Sequence, residues 1–179
     1  LSLAGKGMVL LINGIWAIPA ALLMRALRPW LVIRIGTLCT IRIGHFIEEA
    51  VGHKACLEKK PQKIINWFFL SKKTCNRQWE KMVRRELPVY DCTKYLFDWN
   101  SLLSGKGNEY EINQNSMNQR VITNLYQHHD VKFSFKKNEE MDAKKWLMTS
   151  GWKEGEPFVC LMVRDDAYLA NHSLHGRGD

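Results

Sequence analysis

The sequence predicts an α/β fold with a mainly parallel sheet, and three observations carry that expectation. Short β-branched or apolar runs alternate with stretches of helical periodicity along most of the chain. Two strand-like runs, LVIRIG at 31–36 and CTIRIG at 39–44, each end in glycine, and the second leads straight into a helical pattern. An unbroken apolar run at 157–163, PFVCLMV, has the composition of a strand covered on both faces, as parallel strands are.

The elements follow in order. Residues 8–24 carry no charge and one strongly polar side chain, Asn13; Lys6 precedes them, and Arg25 and Arg28 follow. As a helix this run spans about 25 Å, slightly less than the roughly 30 Å hydrocarbon core of a bilayer, with Pro19 expected to kink it. Three readings stay open: an interfacial or membrane-inserted anchor, a full span, or a buried core helix. Arg25, Arg28 and Trp30 suit the headgroup level of a membrane. The runs at 31–36 and 39–44 read as strands, and 45–51 as a helix opening with acids in its first turn. Residues 63–70 (KIINWFFL) form a further buried strand. Asn76 caps a helix through about Arg85, with Trp79, Met82 and Val83 on one face and Lys81, Arg84 and Arg85 on the other. Residues 94–104 and 116–127 read as helices and 132–135 as a short strand. An amphipathic helix follows over 138–150, with Asn138 as cap and its end at Ser150-Gly151.

Composition bounds the function. The chain has 179 residues, 46% hydrophobic and 25% charged, which excludes a disordered tail, a collagen-like fibre and a polytopic membrane protein. Residues 1–90 carry 15 Lys and Arg against 5 Asp and Glu, while 91–179 carry 11 against 13, so the net +8 belongs to the first half. Any non-specific anion partner meets the protein there. The five cysteines, Cys39, Cys56, Cys75, Cys92 and Cys160, form no CxxC pair and read as free thiols in a reducing cytosol. The chain opens on Leu1 rather than Met and closes on Gly176-Arg177-Gly178-Asp179 just past an expected strand. The expectation is a piece of a longer protein, inactive by itself.

Two places could do chemistry. The apolar run at 157–163 delivers Arg164, Asp165 and Asp166 at its C-terminal end, where open α/β sheets bind ligands. Arginine offers fixed, bidentate donors suited to phosphate, although pairing with a neighbouring acid is the alternative. The turn at Arg42-Ile43-Gly44-His45 joins a strand to a helix, where bare backbone and helix N-terminal amides face the crevice. Asp130, Asp165 and Asp166 are poor metal ligands, because adjacent strand residues point to opposite faces. His128-His129-Asp130, the His172/His175 pair, the terminal Arg177-Gly178-Asp179 and the Ser104–Gly107 stretch read as solvated turns, loops or chance matches.

The segment RIGHF at 42–46, with PFVCLMVRDDAYL at 157–169, resembles a family of bacterial glycosyltransferases linked to surface-polysaccharide synthesis. The resemblance covers roughly residues 30–170. It implies a two-domain, GT-B-like enzyme with two Rossmann-like halves and the active site between them. The VRD segment is similar to the arginine motif of fucosyltransferase-like enzymes, and the resemblance assigns Arg164 to the donor diphosphate. Arg42, Gly44, His45, Asp165, Asp166 and Tyr168 would line the cleft; His45 is the sole catalytic candidate, touching acceptor or donor. No cofactor or metal is implied, the nucleotide-sugar being a substrate. The partners are that donor and a glycan or lipid-linked acceptor. The sequence departs from the family at Met162, where the pattern has histidine, and after Leu174, where the family's continuation is lost.

The expected domains are an apolar membrane-associating helix over 1–30, an acceptor-side Rossmann-like domain over 31–150, and the start of a donor-binding domain over 151–179. The expected place is the cytoplasm, peripherally or monotopically associated with a membrane. The rival reading is a non-enzymatic module whose basic half binds an anionic membrane surface. Nucleic acid is not expected as a partner, because the basic residues lack a known fold motif or an aromatic-interleaved stripe.

Overall fold

The structure, a computed structural model, describes residues 3–57, 63–103, 110–112 and 131–160. The chain divides into two compact units, Leu1–Ser134 and Phe135–Asp179. The first is a mixed α/β unit holding helix α1 (Leu3–Ala26), strand β1 (Val32–Leu38), helix α2 (Ile43–Leu57), strand β2 (Ile64–Leu70), helix α3 (Arg77–Glu86) and helix α4 (Thr93–Leu102).

β1 and β2 are rich in β-branched and aromatic residues, which fit a pleated and covered surface. They pair in parallel from Val32↔Ile64 to Leu38↔Leu70. Single parallel bridges widen the sheet on both sides, Ile35↔Glu111 beyond β1 and Phe68↔Val89 beyond β2. The order across the sheet is therefore Val89, β2, β1, Glu111.

Alternation along the strands divides the core into two layers. Ile33, Ile35 and Phe69 pack with Ala21 and Met24 of α1, Leu96 of α4, and Tyr110. On the opposite face Leu38 and Phe68 meet Phe46 and Ala50 of α2, Val83 of α3, and Leu87 and Val89. Both faces of the parallel sheet are covered, as its near-continuous apolar strands require.

α1 is one helix through Pro19 and presents a narrow stripe of small residues to α4. Gly14, Ala17, Ala21 and Met24 are buried at steps of three and four residues. A Cβ on Gly14 would lie 2.6 Å from Trp99 Cζ2, so only glycine allows this approach. The Trp99 indole then donates to the Leu10 carbonyl (3.1 Å). Arg25 donates to Asn100 Oδ1 and to the carbonyls of Asn100 and Leu103, satisfying groups left open at the α4 C-terminus. Arg25 is thus turned toward α4, and Trp30 is exposed. The buried-core reading of this helix holds for one face only.

Three expected strands are corrected. Residues 39–44 are not a strand: β1 runs on to Leu38, a turn follows, and α2 begins at Ile43 with no acid in its first turn. Ile-x-Ile alternation suits a strand, but 39–42 form the turn and Ile43-Gly44 already belong to the helix whose Phe46 and Ala50 pack with Phe68. Residues 132–135 pair with no strand among the described residues; the Lys132 carbonyl accepts from Lys54 Nζ and that of Ser134 from Arg85, while Phe133 packs at a tilt against Trp79 (4.7 Å). Residues 157–160 are irregular, with Phe158 and Val159 exposed. The remainder of that run and the helix expected over 116–127 lie outside the described residues.

In the second unit helix α5 (Lys137–Thr149) begins one residue before the expected cap, Asn138. The Lys136 backbone N–H donates to the Glu139 carboxylate, which takes up an open amide at the helix start. Its end is the expected one. Trp152 N–H reaches Leu147 O and Gly151 N–H reaches Met148 O, a Schellman closure for which Gly151 takes φ +97°. A turn at Lys153–Glu156 with Gly155 at φ +92° brings the Trp152 indole onto the Glu156 carbonyl (2.7 Å).

Candidate functional site

The C-terminal ends of β1 and β2 are tied together by one buried side chain. Thr40 donates to the Lys72 carbonyl (2.8 Å), lies 3.3 Å from the Ser71 hydroxyl, and accepts the Lys72 N–H. Its own carbonyl accepts the Cys75 N–H (2.9 Å). Glu49 of α2 accepts from the Cys39 backbone N–H at 2.6 Å. Burial pushes the Glu49 carboxyl above its ordinary value; the bond from Cys39 and the nearby His45 pull it partly back, and Glu48 adds to the rise. The two strand-to-helix turns are therefore one polar, cross-braced platform rather than independent loops.

Arg42, Gly44 and His45 sit together at the start of α2, where the Arg42 carbonyl accepts the Phe46 N–H (3.0 Å). Gly44 and His45 are exposed, and Arg42 is half-buried. A Cβ on Gly44 would meet nothing within 4 Å, so no close backbone approach accounts for that glycine. Arg164, Asp165, Asp166 and Tyr168 lie outside the described residues, as do Asp130 and the histidines at 128, 129, 172 and 175.

Beside this platform, at the end of β2, lies a cleft of about 650 Å³ that the sequence reading passes over. Leu70 and Tyr95 give it apolar wall; Lys72, Lys73, Arg77, Lys81, Arg84 and Lys94 supply cations, and Glu80 and Asp91 acids. Arg77, Lys81 and Arg84 share one face of α3 by their spacing of four and three. The helix is set by Asn76, whose side chain accepts the Trp79 N–H (2.9 Å). Arg84 holds both acids, Glu80 at 2.9 Å and Asp91 at 2.8 Å. Burial lowers its guanidinium, but those two partners outweigh the loss and leave it above its ordinary value. Lys94 pairs with Asp98. Among the described residues, Lys72, Lys73, Arg77 and Lys81 have no acidic partner.

The outer face of α1 is the other unusual surface. Met8, Leu11, Ile12, Ile15, Leu22 and Leu23 are each more than half exposed on one apolar helix face. Asn13 satisfies itself locally, donating to the Val9 carbonyl (2.7 Å) and accepting from the Trp16 indole (3.0 Å). Residues Gly7–Ala26 are long and apolar enough to cross a membrane, a test that signal sequences and core helices also pass.

Among the described residues no three His, Cys, Asp or Glu side chains gather as a metal site. No protein-family model, curated protein or solved structure matches the chain.

Proposed function

We propose that the chain is the acceptor-side, Rossmann-like part of a GT-B-type glycosyltransferase. It would move a sugar from a nucleotide-sugar to a glycan or lipid-linked acceptor of surface-polysaccharide synthesis, without a metal ion. The observation that carries this reading is the order of parallel pairing. Val89, β2, β1, Glu111 is chain order 3-2-1-4, that of doubly wound nucleotide-binding sheets, with the direction of winding reversing between β1 and Glu111. Arg42, Gly44 and His45 leave β1 at that reversal, where open sheets receive ligands. Arg164 then meets the donor diphosphate from the second half, with Asp165, Asp166 and Tyr168 beside it. Departure of a nucleoside diphosphate builds charge on its β-phosphate, and a preorganised guanidinium stabilises that charge more in the transition state than in the ground state. In the full-length gene product, Arg164→Ala should abolish sugar transfer while circular dichroism is unchanged; undiminished turnover would sink the assignment.

A second reading, a non-enzymatic membrane-surface module, draws on the outer face of α1. That face would lie in the interface of a cytoplasmic membrane while the basic half meets anionic headgroups. The two readings are compatible, since lipid-linked acceptors lie at such a surface. Replacing Leu11 and Ile15 by Asp should release the protein from phosphatidylglycerol vesicles in flotation; retained binding rules this face out.

A further inference from the structure

The basic cleft beside β2 has a composition that its own packing does not explain. Arg84 spends its charge on Glu80 and Asp91, and Lys94 on Asp98. The four remaining cations come from two adjacent places. Lys72 and Lys73 lie on the loop that Thr40 braces, and Arg77 and Lys81 lie one helical turn apart on α3. Like charges converging on one concavity repel each other, and a solvated helix face relieves this by alternating sign. Here the alternation is confined to the Arg84 end. The loop is not loose: Thr40 fixes the Lys72 backbone through both its N–H and its carbonyl. Leu70 and Tyr95 add to the lining a wall that no anion alone would need.

We infer that this cleft binds a diphosphate ester, with its phosphates among Lys72, Lys73, Arg77 and Lys81 and its organic group against Leu70 and Tyr95. Two linked phosphates bring about three negative charges at neutral pH, and the four cations, less the one acid charge that Arg84 leaves unmatched at Glu80 and Asp91, carry about three to meet them. Side chains four apart on a helix are neighbours, so Arg77 and Lys81 can both reach one diphosphate. A nucleoside diphosphate and a prenyl diphosphate share this chemistry. The site rests on the glycosyltransferase reading in one respect only: in an acceptor-side domain the expected source is the lipid-linked acceptor.

The test is calorimetric titration of the full chain at fixed salt with three probes: inorganic diphosphate, uridine diphosphate and farnesyl diphosphate below its micellar concentration. Replacing Lys72, Lys73, Arg77 and Lys81 by Gln should weaken all three roughly 30-fold or more. These side chains are on the surface, so the thermal midpoint should be little changed. A control with Lys136, Lys137, Lys144 and Lys145 replaced by Gln removes the same charge from the second unit and should leave affinity within about twofold. Tyr95→Ala should weaken the two esters and spare inorganic diphosphate. Tighter binding of the prenyl ester than of uridine diphosphate assigns the lipid source, and the reverse order assigns the nucleotide. The inference is overturned if the wild type binds none of the probes at millimolar concentration, if the cleft variant binds as the wild type does, or if the control loses as much. Binding by this chain with no sugar transfer by the full-length gene product would leave the cleft standing and remove the glycosyltransferase reading; transfer undiminished in the full-length product carrying the four cleft substitutions would do the opposite.

Discussion

The two layers that cover the sheet are held by opposite means. Between α1 and α4 the contact is made by what is missing: Gly14, Ala17 and Ala21 bring the helices close, and polar bonds from Trp99 and Arg25 fix the approach. Between the sheet and α2–α3 it is made by volume. Phe46 and Phe68 are fully buried, His53 packs at a tilt against Phe68 (4.7 Å), and Trp79 meets Phe46 edge-on (6.3 Å). The outer surfaces differ as sharply. α1 turns apolar side chains outward, whereas α3 turns cations outward around a cleft. One layer has an apolar outer surface and the other a cationic one, and the sheet between them carries both.

The contrast can be broken from either side. The largest effect is expected in the bulky layer, where Phe46→Ala leaves a cavity among Leu38, Ala50, Phe68 and Val83. It should cost about 3–5 kcal/mol in urea unfolding, because the surrounding helices cannot collapse to fill a phenyl-sized void. In the close-packed layer the damaging change is an addition. Gly14→Ala places a methyl group 2.6 Å from the rigid Trp99 ring and should cost about 1–3 kcal/mol, despite the better helix propensity of alanine. If Gly14→Ala were stabilising, α1 would rest on α4 loosely and the proposed division into inner and outer faces would fail.

What the sequence made legible follows the same line between local and distant causes. β2, the Asn76 cap of α3 and the Gly151 end of α5 are written in a few adjacent residues, and all three are where the spacing puts them. The parallel sheet was legible from the alternation of element types. The start of α2 was not, because Cys39–Gly44 has strand chemistry and the residues that decide against a strand, Ser71 and Phe68, lie about thirty positions away. The extended segment at 132–135 fails to pair for a similar reason: its carbonyls are taken by Lys54 and Arg85 of other helices. The cleft was visible only as a surplus of positive charge. The tract SKKTCNR announces cations, but their convergence with Arg77, Lys81 and Tyr95 depends on α3 and α4 returning to the same edge of the sheet.

The smallest expected effect sharpens the comparison at the platform the two layers share. Glu49 accepts the Cys39 N–H and so holds the turn that leaves β1, yet burial raises its carboxyl above the ordinary value of 4.5. The folded state therefore favours the protonated form. Below the ordinary value both folded and unfolded chains are protonated and the group has no effect. As pH rises through the raised folded value, ionisation of the half-buried carboxylate withdraws stability, and the loss is complete above it. Glu49→Gln keeps an acceptor for Cys39 and has no charge to desolvate. Its melting temperature should match that of the wild type near pH 4 and exceed it by about a degree or two near pH 7.5. A difference that does not change with pH would mean that Glu49 is ionised without penalty, and that Thr40 alone braces the two turns.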